Sequence, residues 1–281
     1  MRALAKLLLL AELLFPFMAL ASEQLIIAHR GGAADAPENT LPAIKNAVDN
    51  RADAIWLTLQ LTKDNEIVLY RPADLNALTN LHGPVSAYTL SELHQADAGY
   101  WYGKPAYPWR GKNISIPTLA EVLKRWPNTF FFLDIKSLDA SPQLFSVLLE
   151  DLLETSHSLN RVRVYATDER YLTALPSTIE RFESRDATQA VLSDITVNHR
   201  CDIPSSAVEK WYGFKYQQNL QSTEARSQQA WISEAMRCFK NNRLAKVVLF
   251  GNNDKALYQT AQALDANGVL VESPVQVRKK S

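Results

Sequence analysis

The chain has 281 residues, 47% apolar, 9% aromatic and 21% charged, with 30 basic side chains against 30 acidic ones. That apolar fraction at ordinary charge density excludes intrinsic disorder, and 9 Gly with 13 Pro in no period exclude collagen-like or low-complexity chains. A formal charge of zero gives no global attraction to nucleic acid or to an anionic membrane, so any anion site must be local.

Arg2 and Lys6 precede a run from Leu7 to Ala21 that is apolar apart from Glu12 and ends in Ala19-Leu20-Ala21. A basic start, an apolar stretch and small residues at the cut predict a secretory signal peptide over residues 1–21. A membrane span wants about 20 apolar residues, and Glu12 and Pro16 interrupt this one. The expectation is a mature chain, residues 22–281, exported to a periplasm or beyond the cell, with no integral membrane association. In such a compartment Cys201 and Cys238 are expected to form a disulfide. Two buried thiols stay open as the alternative, because spacing does not show whether they meet.

Leu25 to His29 is a short apolar strand ending in a glycine pair, and Thr40 to Asn50 has helical spacing. Ala54 to Leu61 reads as a second strand and Ile67 to Arg71 as a third, across the turn Lys63-Asp64-Asn65. A long irregular segment, residues 72–115, follows. Thr118–Trp126 and Ser141–Ser156 read as helices, and Phe130–Ser137 and Arg161–Thr167 as strands. Further on, Tyr171–Leu175, Asp186–Ile195, Thr223–Asn241 and Lys255–Asn267 are predicted helices. Ile179–Ser184, Val208–Tyr216, Lys246–Phe250 and Val269–Glu272 are the remaining predicted strands. Strands alternating with helices in about eight units predict an α/β fold of (β/α)8 TIM-barrel type in one domain. Active sites of such barrels sit at the strand C-termini. Those ends carry His29-Arg30, Trp56/Thr58/Gln60, Arg71, Asp134/Lys136, Thr167-Asp168 and Glu272.

His29-Arg30-Gly31 followed by Pro37-Glu38-Asn39-Thr40 resembles the HRG…PENT opening of the glycerophosphodiester phosphodiesterase family. Leu59 to Asp64, Ile116-Pro117-Thr118-Leu119, Asp134-Ile135-Lys136 and Gly268 to Pro274 agree with it, so the resemblance spans nearly the whole mature chain. It implies a TIM barrel with a small insertion after the third strand, about residues 72–115, and a phosphoric diester hydrolase lineage acting on glycerophosphodiesters from lipid headgroups. Members of that family are understood to use two histidines as acid and base, with a divalent metal held by Glu-x-Asp on strand two and a Glu on strand four. Position by position, the first histidine is His29 and the phosphate-binding arginine beside it is Arg30. The Glu-x-Asp positions hold Trp56 and Thr58, and the second histidine position holds Arg71. The strand-four carboxylate is Asp134, the lysine after it is Lys136, and an aromatic expected on the penultimate strand falls at Leu249.

The residues themselves argue against the metal. Strand alternation sends Trp56, Thr58 and Gln60 to one face and Ile55, Leu57, Leu59 and Leu61 to the other, so Trp56 and Thr58 point into the barrel. A hard cation needs several oxygen ligands; Trp56 offers none, Thr58 a neutral hydroxyl, and Asp134 alone does not hold Mg2+ or Ca2+. Arg71 stands where it could replace the ion's positive field, unless it pairs with Asp134. Arg30 and Lys136 have no evident neutralising partner and are expected to face an anion. The expectation is therefore a cofactor-free cationic mouth, with His29 as catalytic candidate and Arg30, Arg71 and Lys136 on a small anionic phosphodiester or phosphomonoester. Hydrolysis is expected to be weak or absent. One alternative is an active metal-independent phosphodiesterase built on His29 with those three cations. Another is a Ca2+- or Mg2+-dependent enzyme with relocated ligands such as Asp74, Asp168 or Glu272. Tyr100-Trp101-Tyr102 and Trp109 read either as a binding lip or as packing of the insertion.

Overall fold

The computed structural model describes residues 24–216, 222–252 and 254–278; the predicted signal segment lies outside the described residues. No helix among the described residues is long and apolar enough to cross a membrane. The strands are β1 (Leu25–His29), β2 (Ala54–Leu61), β3 (Ile67–Leu69), β4 (Phe130–Ile135), β5 (Val162–Ala166), β6 (Lys210–Tyr216), β7 (Ala245–Gly251) and β8 (Gly268–Val271). All but β3 run parallel, in the order β5-β4-β2-β1-β8-β7-β6. Arg181 bridges Val164 of β5 and Phe182 bridges Trp211 of β6, both in the parallel sense. The predicted strand Ile179–Ser184 is thus reduced to a two-residue stave that spans the gap between the ends of the sheet, giving the barrel its eighth member.

β3 departs from the expectation. It pairs antiparallel with β2, Leu59 opposite Leu69 and Leu61 opposite Ile67. The connection is a tight turn with Asn65 at φ 67°, and so short a link permits only antiparallel pairing, since parallel strands need a crossover of a dozen residues or more. The third predicted strand is therefore a hairpin arm. The insertion begins at that hairpin, and Asp134 stands on the third parallel stave.

The helices α1 (Leu41–Asp49), α2 (Leu90–Leu93), α3 (Leu119–Arg125), α4 (Pro142–Thr155), α5 (Glu169–Ala174), α6 (Arg185–Asn198), α7 (Ser222–Lys240), α8 (Asp254–Leu264) and α9 (Pro274–Arg278) follow the strands. Thr40, Thr118, Ser141, Asp168 and Ser184 each accept a first-turn backbone N–H, which fixes where α1, α3, α4, α5 and α6 begin. The cap at Asp168 starts α5 two residues before the predicted Tyr171. Inside the barrel, Ile27, Trp56, Phe132, Phe182, Trp211 and Val248 form one apolar plug. Outside it, Ile55, Leu57 and Leu59 pack with the helices, as the alternation on strand two requires. Cys201 and Cys238 form a disulfide with Cα atoms 5.5 Å apart, tying the segment after α6 to α7. In the insertion, the Arg110 guanidinium lies 4.1 Å over Tyr100 and 3.9 Å over Tyr107, so these aromatics pack the insertion itself.

Candidate functional site at the barrel mouth

Inward positions recur every second residue along a strand, and those above the apolar plug are polar. His29 follows Ile27, Thr58 follows Trp56, Asp134 and Lys136 follow Phe132, Lys215 follows Gly213, and Glu272 follows Leu270. All of these polar residues but Thr58 line a cavity of about 410 Å3, together with Arg30 and Arg71, and Trp56 and Phe250 form its apolar walls. The structure thus brings His29, Arg30, Arg71, Asp134 and Lys136 together, while Thr58, Gln60, Asp74 and Asp168 do not line the cavity.

The opening motif builds the first wall. Arg30, Gly31 and Gly32 have φ of 52°, 81° and 93°, a turn that swings the chain off β1. A Cβ on Gly31 would lie 3.1 Å from that of Ala43, so α1 approaches as closely as it does only because residue 31 is glycine. Asn39, also left-handed at φ 57°, accepts from the Thr58 backbone N–H at 3.0 Å and so locks this loop to β2. Thr40 donates to the Pro37 carbonyl at 2.6 Å.

Arg30 differs from expectation. Its guanidinium is held by Glu38 at 2.5 Å and by the two Glu272 oxygens at 3.2 and 3.3 Å. It is neutralised within the chain, contrary to the reading that nothing there would do so. Glu272 also meets His29, Nδ1 to Oε1 at 2.5 Å. Burial alone would raise the Glu272 carboxyl, but the His29 hydrogen bond and charge, with Arg30, outweigh it and hold the group below its usual range. Asp254 accepts the backbone N–H groups of Glu272 and Ser273 at 2.9 and 2.6 Å, fixing this strand end from α8.

Across the mouth, Asp134 is 7% exposed. Burial pushes its carboxyl up to about 6, against the opposing pull of Lys136, a Trp56 hydrogen bond and His29. The Lys136 ammonium lies 3.2 Å from Asp134 Oδ1 and donates to Thr167 Oγ1. Asp134 therefore pairs with Lys136, not with Arg71. Arg71 is exposed at the rim and makes no ion pair among the described residues, and the same holds for Lys215.

These residues do not fit a divalent-ion centre. Thr58 stands beside Asp134 in register, with its hydroxyl buried and without a hydrogen-bond partner. One hydroxyl and one carboxylate already salt-bridged to a lysine are too few hard donors. No cluster of three His, Cys, Asp or Glu at ligating distance occurs among the described residues. The Trp56 ring fills the space, 5.3 Å from Tyr165, 5.6 Å from Phe182 and 5.9 Å from Phe132. Of the carboxylates considered as relocated ligands, Asp74 caps a loop turn through Asn76 and Gly83, and Asp168 caps α5 and pairs with Arg170. Only Glu272 is in the mouth.

Sequence reasoning missed Glu38 as the partner of Arg30, and it missed Lys215 and Phe250. Leu249 is fully buried against the helices, and its neighbour Phe250 is the aromatic of the penultimate strand that faces the mouth. The signal was the alternation Trp211, Gly213, Lys215 on β6 and Val248, Phe250 on β7, which is usable once the inward register is known.

Fold and site define a (β/α)8-barrel protein with a cation-rich mouth around a single histidine. The chain belongs to the Glycerophosphoryl diester phosphodiesterase family, whose profile matches residues 29–275. The uncharacterized protein Rv2277c of Mycobacterium tuberculosis is 34% identical over 273 residues, covering 92% of this chain and 89% of that one. The crystal structure of its glycerophosphoryl diester phosphodiesterase domain superposes with a TM-score of 0.77 at 31% identity, over 91% of this chain and 98% of that one. An Oleispira antarctica phosphodiesterase, solved with the product sn-glycerol-3-phosphate, shares the fold at 18% identity, TM-score 0.64, over 90% and 95% of the two chains.

Proposed function

We propose that the mouth binds a small phosphodiester or phosphomonoester through side-chain cations without a divalent metal, and that hydrolysis there is weak or absent. The observation that carries this is the Asp134–Lys136 pair: the one family-type ligand position still acidic is neutralised by a lysine 3.2 Å away. Arg71, without an ion-pair partner among the described residues, is then available for forked contacts to phosphate oxygens. Arg30 acts mainly by holding Glu38 and Glu272 in place. The glycerol phosphate in the Oleispira neighbour supports the ligand class. Export to an oxidising compartment belongs to the same proposal, and the Cys201–Cys238 pairing supports it.

A second reading, metal-independent hydrolysis, draws on the His29–Glu272 contact of 2.5 Å. A carboxylate on Nδ1 fixes the ring and leaves Nε2 for proton transfer. Arg71 and Lys136 would then stabilise the charge developing on the phosphoryl oxygens.

Calorimetry with glycerol phosphate and glycerophosphoglycerol, with and without chelator, tests the proposal. Binding is expected to be the same in EDTA and in millimolar Ca2+, and Arg71→Ala to weaken it by about tenfold, one charge-assisted contact. Binding that requires calcium, or is indifferent to Arg71→Ala, overturns the proposal. Chelator-insensitive hydrolysis that disappears in His29→Ala decides for the second reading.

A further inference from the structure

A second cleft, about 490 Å3, adjoins the mouth. Tyr165, Thr167, Lys215 and Phe250 line both, so a molecule seated in one reaches the other past the Phe250 ring. Gly213 keeps that ring where it is, because a Cβ there would sit 3.1 Å from Phe250 Cε1. The far side is built by α6 and α7 and carries Arg185, Gln189 and Trp231.

The charge of this cleft is unbalanced among the described residues that line it. Arg185 and Lys215 face it, and neither makes an ion pair among the described residues. The one carboxylate among its described lining residues, Glu183, is engaged by Lys210 at 2.7 Å. Helix stability gives no reason for Arg185: it is the first residue of α6, where a cation is disfavoured by the exposed backbone N–H groups. Asp186, next along, does not line the cleft.

We propose that this cleft receives the alcohol portion of the phosphodiester and selects alcohols bearing a second anionic group, held by Arg185 and Lys215 while the diester phosphate sits at Arg71 and Lys136. The substrate class is then a doubly anionic phosphodiester, with an uncharged or cationic alcohol disfavoured. This inference rests on the reading of the mouth as a phosphate site.

The test compares glycerol phosphate, glycerophosphoglycerol, and glycerophosphoglycerol carrying a phosphate on its distal glycerol, by calorimetry on the disulfide-bonded chain at low salt. The phosphorylated diester is expected to bind about tenfold more tightly than the unphosphorylated one, the worth of one charge-assisted contact. In Arg185→Gln, checked for a cooperative thermal transition, that ratio is expected to fall to near one. Equal affinity of the two diesters, or an advantage that survives Arg185→Gln, overturns the inference while the mouth reading stands. Failure of all three ligands to bind overturns the mouth reading instead.

Discussion

Asp134 is expected to make the folded protein less stable as the solution becomes more alkaline, and Asp134→Asn to remove that dependence. The carboxyl is 7% exposed, and burial raises it from an ordinary 3.8 to about 6. With the folded-state value above the unfolded one, the native protein binds more protons between pH 4 and 6 than the unfolded chain does. Its contribution is fully present below pH 4 and is lost as pH rises through 6. The full displacement corresponds to about 3 kcal/mol, an upper bound because Lys136 shares the charge. Urea denaturation of parent and Asp134→Asn at intervals from pH 4 to 8 measures it. The other titrating groups are common to both proteins, so the difference in unfolding free energy isolates this carboxyl. That difference is expected to move in favour of the asparagine variant by up to about 3 kcal/mol across the window and then level off. A difference curve flat from pH 4 to 8 refutes the reasoning, and so does one that moves in favour of the parent.

Arg30→Ala leaves Glu38 and Glu272 facing each other without their shared cation. The trio is only partly buried, so the loss is expected to fall short of the roughly 3–5 kcal/mol of a fully buried pair and to read as a lower urea midpoint, whereas Arg71→Ala, which breaks no ion pair among the described residues, is expected to leave the midpoint in place. Cys238→Ser, or reduction of the parent, opens a loop whose ends are 37 residues apart. The chain-entropy model gives a loss of about 4 kcal/mol, read in the same assay, with no further loss when reductant is added to the variant.

Most of the barrel was legible because its strands and caps announce themselves locally. Thr40, Thr118 and Ser141 precede apolar helical patterns, and the alternation across Ala54 to Leu61 fixed which face of β2 is inside. Two predicted strands differ in the structure, one for a local reason and one through partners distant in the chain. Ile67 to Leu69 has the composition of a barrel strand, but the turn before it is too short for a parallel partner. Arg181 and Phe182 contribute one bridge each, which no periodicity reveals, yet they close the barrel.

The site was legible in its residues and illegible in its pairings. Arg30 and Arg71 are the same side chain at two strand ends, and nothing local separates them. What separates them is that β8 abuts β1, bringing Glu272 against Arg30, and that the left-handed Asn39 turns Glu38 back onto the same guanidinium. Arg71 ends an arm outside the barrel staves and meets no carboxylate among the described residues. A count of formal charges at strand ends assigned both to the ligand, whereas closure of the barrel gives Arg30 to the protein and leaves Arg71 for the proposed anion. Lys136 completes the exchange: on β4 it lies above Asp134, close enough to neutralise that carboxylate itself. With Trp56 and Thr58 in the strand-two positions, the mouth keeps its positive field in side chains. On the proposed metal-free reading, binding built on that field is expected to respond to ionic strength and to arginine substitution, and not to chelation.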